Sequence, residues 1–182
     1  MIHETAKIDA TVRVYHGGGY WRNENLYLMG LLDIGLDCRI DAFTVITVGP
    51  KGIKIGRNVH VGVGCFISGA HGRVEIGDFC SLSPRSSIYT GVDDMLSNGL
   101  IGACAPADRR VPLAIGDVIM QTGSALGAGA FVWPDVVIGA GAVVGMGSVC
   151  RFRLEPGRIL VGPEGRLIDK VRSTEKNSAA NK

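Results

Sequence analysis

The sequence of 182 residues predicts an all-β fold, a parallel β-helix in which short strands are joined by bends into a solenoid. Aliphatic residues recur at every sixth position, and glycine or another small or polar residue follows nearly every one of them. The fourth position after most of these aliphatic residues is also small or β-branched. A period of six fits neither an α-helix nor a series of hairpins. Three hexapeptides instead make one triangular coil, in which the aliphatic side chains point inward and stack.

The repeat runs along most of the chain. Its aliphatic positions are Ile2, Ile8, Val14, Ile34, Ile40, Ile46, Ile55, Val61, Ile67, Ile76, Leu82, Ile88, Met120, Leu126, Val132, Ile138, Val144 and Cys150. Residues 15–33 do not follow the period, and either a longer loop or irregular coils would explain them. The repeat therefore predicts one domain over residues 1–168, followed by a polar and disordered tail over residues 169–182.

The period is interrupted at the same corner of three successive coils. Ile46 and Ile55 are nine residues apart, and so are Ile67 and Ile76, so each gap holds three extra residues. One coil later the same corner carries a long excursion, residues 89–114. We therefore expect one insertion edge on the solenoid, with the other two edges regular. Loops positioned by a rigid scaffold are where binding and catalysis concentrate.

Composition excludes several classes of protein. The formal net charge is only +2 and the positive residues are scattered, so no nucleic-acid partner is expected. No apolar run is long enough for a signal peptide or a membrane span, which predicts a cytoplasmic protein with reduced thiols. The five cysteines form no Cys-x-x-Cys pair, so no metal is expected either.

The segment "LGAGAFVWPDVVIGAGAVVGMGSVCRF", with "IYTGVDDM" before it and "VGPEGRLI" after it, resembles the left-handed β-helix acyltransferases. Within that family it looks closest to galactoside and maltose O-acetyltransferases and their polysaccharide-modifying relatives. The resemblance covers residues 34–168. It implies a left-handed coil, acetyl-CoA as co-substrate, a homotrimer, and active sites in the clefts between neighbouring coils.

One departure from the family pattern concerns the catalytic residue. The family's catalytic histidine usually lies in the loop after the "IYT"-like strand, where this chain has Asp93 and Asp94. Some polysaccharide-modifying relatives resemble this chain in having the acid pair, together with an Asn-Val-His motif one coil earlier, here residues 58–60. Aspartate is also common in loops because it bonds its own backbone, so a purely structural role for the pair stays open.

Acetyl transfer from a thioester to a sugar hydroxyl needs a base, a group that holds the base, and donors for the oxyanion. His60 precedes the inward-facing Val61, so its side chain is expected to point out of the wall. An ordinary imidazole, with a pKa of about 6.5, suits a base at neutral pH better than a carboxylate with a pKa of about 4. We therefore predict His60 as the base, with Asp93 or Asp94 orienting it or binding the acceptor, within or across a subunit boundary.

The remaining candidates concern the two substrates. His71, at the insertion edge, is either an acceptor contact or a polar turn residue, and Tyr89 is a second candidate for acceptor binding. The cofactor positions rest on the resemblance alone. Ala128 and Met146 match residues whose backbone contacts the pantetheine arm of CoA. Arg151 and Arg166 match positions near the CoA phosphates, where a guanidinium is chemically apt.

The leading hypothesis is an acetyl-CoA-dependent O-acetyltransferase that acts on a hydroxyl of a sugar or of a surface-polysaccharide precursor. The alternative is N-acetylation of a nucleotide-linked amino sugar, which needs similar catalytic groups and a different acceptor pocket. A γ-type carbonic anhydrase would need a His-x4-His spacing, whereas His60 and His71 are eleven residues apart. A non-catalytic β-helix is the last alternative.

Overall fold

A computed structural model describes residues 1–16, 30–102, 104–106 and 108–171, with the backbone alone for 169–171. Short strands dominate this part of the chain. In chain order they are β1 (Lys7–Ile8), β2 (Arg13–His16), β3 (Leu32–Ile34), β4 (Arg39–Ile40), β5 (Val45–Val48), β6 (Ile53–Ile55), β7 (His60–Val61), β8 (Phe66–Gly69), β9 (Val74–Ile76), β10 (Ser81–Leu82), β11 (Ser87–Tyr89), β12 (Gly91–Asp93), β13 (Leu113–Ile115), β14 (Val118–Met120), β15 (Ala125–Leu126), β16 (Phe131–Val132), β17 (Val136–Ile138), β18 (Val143–Val144), β19 (Val149–Cys150), β20 (Arg158–Val161) and β21 (Arg166–Val171).

Three parallel sheets form the walls of a triangular prism. Sheet A contains β3, β6, β9, β14 and β17; sheet B contains β1, β4, β7, β10, β15, β18 and β20; and sheet C contains β2, β5, β8, β11, β16 and β19. The chain visits A, B and C in turn before starting the next coil, which makes a parallel β-helix, as the repeat predicts. The C-terminal β21 pairs with β20 in the antiparallel direction and ends sheet B.

The core is the stack of inward side chains that the repeat predicts. In sheet B, Ile40, Val61, Leu82, Leu126 and Val144 occupy matching positions of successive coils, and each is buried. A side chain that touches its own equivalent one coil away tolerates little change in volume, because interiors are close-packed. The six-residue period thus follows directly from the geometry of the prism.

Small residues line the corners inside the prism, where there is little room. Cys38 and Thr44 are both buried, and each donates a hydrogen bond to a carbonyl of the next coil. The Sγ of Cys38 lies 2.9 Å from the oxygen of Gly56, and the Oγ1 of Thr44 lies 3.1 Å from the oxygen of Gly62. Cys65 and Cys80 are likewise free and buried, and all three cysteines fill these positions as small apolar side chains.

The insertion edge lies between sheets C and A. There β12 and β13 pair in the antiparallel direction as a ribbon at the base of the excursion, and the coil resumes at β14. Adjacent turns approach closely: a Cβ on Gly72 would lie 2.5 Å from the carbonyl oxygen of Gly116. Residues 17–29 connect β2 to β3 and lie outside the described residues, with most of the irregular segment 15–33. Residues 172–182 of the predicted tail lie outside them too.

Candidate active site

His60 lies on the outer wall of sheet B, as predicted, and contacts a carboxylate. Its Nε2 lies 2.8 Å from Oδ2 of Asp41, and the other oxygen of Asp41 accepts a 2.6 Å hydrogen bond from Nε of Arg39. The His60 side chain is 46% exposed, whereas that of Asp41 is only 14% exposed. The imidazole is therefore accessible on the wall while its carboxylate partner is shielded.

Electrostatics keep Asp41 ionised. The hydrogen bond from His60 is the largest cause that lowers the pKa of this carboxyl, and Arg39 lowers it further, against the opposing effect of burial. Asp41 follows the inward-facing Ile40, so its backbone is set by the coil and its amide donates to the carbonyl of Val61 at 2.8 Å. The site thus holds a fixed negative charge next to an accessible imidazole.

Asp93 lies on the ribbon at the insertion edge and pairs with Arg110. Nη2 of Arg110 lies 3.3 Å from Oδ1 of Asp93, and both side chains are mostly buried, at 27% and 19% exposure respectively. Buried charges are normally paired, because removing a charge from water is costly. The partner is supplied by the far end of the excursion, so the carboxylate position depends on how the excursion closes.

Among the hydrogen bonds of the described residues, the side chain of Asp94 contacts only its own turn, while its amide donates to the carbonyl of Pro112. Its Oδ1 accepts from the amide of Leu96 at 3.0 Å, and its Oδ2 accepts from the hydroxyl of Ser97 at 2.5 Å. The hydroxyl of Ser97 is the main cause that lowers the pKa of Asp94. These hydrogen bonds are the turn-forming contacts that aspartate often makes in loops. They favour Asp93 over Asp94 as the residue that takes part in the reaction.

His71 packs against Gly91 at the insertion edge. A Cβ built on Gly91 would overlap the imidazole of His71, so the missing side chain is what lets the ring lie there. The amide of His71 also donates to Oγ1 of Thr90 at 3.2 Å. Gly91 and Asp93 share one face of β12 because side chains alternate along a strand. His71 and Asp93 therefore lie on the same side of the ribbon.

Gly91→Ala is expected to displace the His71 ring, because the new methyl group would occupy its place. The exposed ring can swing into solvent, so we expect a changed His71 Cε1–H resonance in the NMR spectrum and a stability loss of about 1 kcal/mol or less. In a His71→Ala background the same substitution should cost less, although the Cβ of residue 71 would still lie 2.9 Å from the new methyl group. An unchanged His71 resonance would show that the ring does not depend on this glycine.

Tyr89 belongs to an aromatic cluster on the outer wall of sheet C. Its ring stacks on Phe131 at 4.8 Å between centroids and meets Phe66 at 5.1 Å. Phe131 in turn contacts Trp133 at 5.9 Å. Burial among these rings raises the pKa of Tyr89. Tyr89 is thus placed mainly by aromatic packing, and its predicted contact with the acceptor stays a prediction.

The four predicted cofactor residues lie in the C-terminal half of the solenoid. Ala128 and Met146 occupy matching exposed corners of successive coils between sheets B and C, where the amide of Gly147 donates to the carbonyl of Ala128 at 2.9 Å. Arg151 is exposed, with its guanidinium carbon 5.4 Å from the centre of the Trp133 ring. Exposed corner backbone and an exposed guanidinium fit a flexible arm and its phosphates.

Arg166, the fourth of these residues, is exposed in β21. The preceding Gly165 approaches the carbonyl of Val149 and the ring of Phe152, which follows Arg151 in the chain. The pairing of β20 with β21 thus returns the chain to the last coil. Arg151 and Arg166 therefore belong to the same end of the solenoid, and their contact with CoA phosphates stays a prediction.

The structure separates two candidate groups that the sequence analysis pairs. His60 lies on sheet B, whereas Asp93 and His71 lie at the edge between sheets C and A, and the partner of His60 within the chain is Asp41. The sequence analysis missed Asp41, and it missed the pairing of Arg110 with Asp93. Asp41 carries a detectable signal in the sequence, because it is a carboxylate directly after an inward residue one coil before His60. Arg110 lies in a non-periodic segment that carries no such signal.

Among the described residues, no three histidine, cysteine, aspartate or glutamate side chains converge as a metal site would require. In the same part of the chain, no helix is long and apolar enough to cross a membrane.

Comparison with known proteins gives the class of this one. No protein-family model matches the chain. It is 32% identical over 139 residues to the dTDP-4-amino-4,6-dideoxy-D-glucose acyltransferase of Escherichia coli, covering 76% of this chain and 71% of that enzyme. The protein is therefore a left-handed β-helix acyltransferase, and it belongs to the family of this E. coli enzyme. The more specific likeness to galactoside and maltose O-acetyltransferases is not confirmed.

Solved structures agree with this assignment. A variant of AntD, an N-acyltransferase from Bacillus cereus, in complex with dTDP-4-amino-4,6-dideoxyglucose and coenzyme A, matches with a TM-score of 0.80 and 28% identity over 93% of this chain and 81% of that chain. AntD in complex with dTDP and 3-hydroxybutyryl-CoA matches with the same values. WeeI from Acinetobacter baumannii, at 19% identity and a TM-score of 0.59, covers 87% of this chain and 56% of its own, and shows the fold alone.

Proposed function

We propose that this protein transfers an acyl group from acyl-CoA to the amino group of a nucleotide-linked 4-amino-4,6-dideoxy sugar and forms an amide. The observation that carries the proposal is the 32% identity to an enzyme named for that type of acceptor. The AntD complex, which contains the same sugar nucleotide and coenzyme A, supports it over 93% of the chain. The alternative from the sequence analysis, N-acylation, is thus favoured over the leading hypothesis of O-acetylation.

The carboxylate at the place of the usual catalytic histidine supports an amino acceptor. A neutral amine is already a good nucleophile, and its protonated form carries a positive charge, so a carboxylate can bind it directly. A sugar hydroxyl is a far weaker nucleophile and needs a base during attack. Asp93 accepts from Arg110 through one oxygen, and we propose that its second oxygen binds the acceptor amine.

The proposed step balances without a covalent enzyme intermediate. The amine nitrogen attacks the thioester carbon, a C–N bond forms, and the carbonyl oxygen becomes an oxyanion. The C–S bond then breaks and releases the thiolate of CoA. The nitrogen loses one proton, which we assign to His60, and His60 returns it to the sulfur. The CoA side of this site would contain the acyl group and the exposed corner backbone near Ala128 and Met146. It would also contain the guanidinium groups of Arg151 and Arg166.

His60 and Asp93 lie on different sides of one prism, so we propose that a second copy brings them together. The excursion carries exposed apolar side chains, among them Met95, Leu96 and Ile101. A contact between the insertion edge of one copy and sheet B of the next joins two unlike surfaces and closes into a ring. The predicted homotrimer is such a ring, and sedimentation that shows only monomer at micromolar concentration would contradict it.

An acceptor panel gives the direct test. With acetyl-CoA, we expect kcat/KM for a dTDP-4-amino-4,6-dideoxy sugar to exceed that for the matching 4-hydroxy sugar by about 10²-fold or more, because the hydroxyl lacks the charge and nucleophilicity of the amine. The measurement is release of the CoA thiol, with mass spectrometry of the product. Acetyl-CoA without acceptor is the control. Comparable acetylation of the 4-hydroxy sugar would favour the O-acetyltransferase hypothesis instead.

A further inference from the structure

We propose that Asp41 is a positioning residue that fixes the tautomer of His60, so that Nδ1 is the nitrogen that accepts the proton during acyl transfer. The proposal rests on the proposed function for its chemistry, and on the contacts of His60 for its geometry. Neither residue of the pair lies in the segment where the family's histidine is expected. The pair would be a separate element of this site, built on the wall of sheet B.

The tautomer follows from the donor and acceptor inventory of the two groups. An ionised carboxylate has only acceptor oxygens, so the nitrogen 2.8 Å from Oδ2 of Asp41 has to be the one that carries hydrogen. That nitrogen is Nε2. A neutral imidazole has a single N–H, and its other nitrogen has a lone pair. With Nε2 protonated, Nδ1 of His60 is the basic atom.

Asp41 itself is held in place from two directions. Nε of Arg39 donates to Oδ1 at 2.6 Å, so both carboxylate oxygens are engaged and the group cannot rotate without losing a hydrogen bond. The backbone amide of Asp41 donates to the carbonyl of Val61, the residue after His60, at 2.8 Å. The partner of the imidazole is therefore fixed to the same strand that carries His60.

The wall beside His60 leaves room for a substrate. Arg39, His60 and Ser81 are in register on the outer face of sheet B, followed by Ala125 one coil further. Adjacent strands lie about 4.8 Å apart, so the small side chains of Ser81 and Ala125 leave a low surface next to the ring. The carboxylate occupies one side of the imidazole, and the low surface lies toward later coils.

During the reaction Asp41 would act only through His60. When Nδ1 takes the proton of the attacking nitrogen, the ring becomes an imidazolium, and the ionised Asp41 stabilises this charge through the existing Nε2–H hydrogen bond. The proton then leaves Nδ1 for the thiolate sulfur of CoA. Asp41 remains ionised throughout, so the step needs no further acid or base.

The first test measures the tautomer directly. Two-bond ¹H–¹⁵N NMR of the wild-type protein at a pH where His60 is neutral should show the Nε2–H form alone. In Asp41→Asn we expect this single form to give way to a mixture of tautomers, because an amide can either donate or accept. Asp9→Asn is the matched control: Asp9 has the same place one coil earlier, and its Oδ1 binds Thr11 instead.

The second test is kinetic. Asp41→Asn should lower kcat by about 10²-fold with KM changed less than about threefold, and it should cause little further loss in a His60→Ala background. Asp9→Asn should keep kcat within about twofold. A purely structural role for Asp41 would instead predict losses that add to those of His60→Ala. An Nδ1–H tautomer in the wild type, or a normal kcat in Asp41→Asn, would overturn the proposal.

Activity on the amino sugar and the role of Asp41 can be tested separately. If no amino sugar is acylated by the wild-type protein, the proposed function is wrong, while the NMR measurement still reports on the His60–Asp41 pair. If the amino sugar is acylated and Asp41→Asn leaves both tautomer and kcat unchanged, the proposed function stands and the role of Asp41 is wrong.

Discussion

His60→Ala is expected to lower kcat by about 10²–10⁴-fold, which is the usual contribution of a general base. The imidazole lies on the outer wall of sheet B and is 46% exposed, so its removal leaves no cavity in the core. KM for acyl-CoA should change little, and the circular dichroism spectrum and sedimentation should match the wild type. The measurement is steady-state kinetics with acetyl-CoA and a dTDP-linked amino sugar.

Three other variants make this result specific. Asp93→Asn should cost less than His60→Ala, and His71→Ala less still, because we assign acceptor binding to the first and at most an acceptor contact to the second. His3→Ala is the control, since His3 is exposed and contacts Thr5 in its own turn. Near-normal kcat in His60→Ala, together with an inactive Asp93→Asn or His71→Ala, would place the base at the insertion edge instead.

Ile88→Ala is expected to lower the free energy of unfolding by about 2–5 kcal/mol, because it removes a fully buried side chain from the inward stack. Ile88 lies in β11, directly before the excursion, and is in register with Ile67 and Val132 on the neighbouring coils. Neither neighbour can move into the space without breaking its own register. Urea unfolding followed by circular dichroism measures the change.

Ile119→Ala is the matched control for that substitution. It removes the same atoms from β14, but Ile119 points outward on sheet A and is only partly buried. We expect a loss of less than about 1 kcal/mol. Equal losses for the two variants would show that the inward stack does not dominate stability, and that the outer wall of sheet A is covered by another surface.

The fold was predictable because its period is set by local geometry. A wall of the prism is two to four residues long, each corner needs a small or left-handed residue, and every coil repeats both requirements. Residues such as Gly129 and Gly147, with φ of 64° and 60°, mark these corners in the sequence. The hand of the coil could not be predicted from the repeat, because the spacing of side chains is the same for either hand. Only the family resemblance indicated a left-handed coil.

The site was predictable only in part, for a related reason. The outward direction of His60 follows from strand alternation with Val61. Its contact with Asp41 depends on which residues of two neighbouring strands of sheet B face each other, and the extra residues at the insertion edge set the offset between those strands. The contact between Asp93 and Arg110 depends on how the excursion closes, which no period describes. The sequence did not indicate which acceptor is used, because an amine and a hydroxyl can be held by similar side chains.

The buried cysteine thiols of the solenoid can be used to measure the local opening of its coils. Cys38, Cys65, Cys80 and Cys150 are free and buried, and burial raises the pKa of each, that of Cys150 to about 11. Only a thiolate reacts readily with an alkylating reagent, so the closed coil protects them twice, by access and by protonation. Cys104 is exposed and provides an internal reference.

The labelling rate of each buried cysteine therefore reports the opening of a different coil. Native proteins open in local units whose free energies differ, and a reagent traps each thiol at a rate set by the opening of its own unit. The order in which the four residues are labelled would show whether the solenoid frays from its ends or opens first beside the insertion edge.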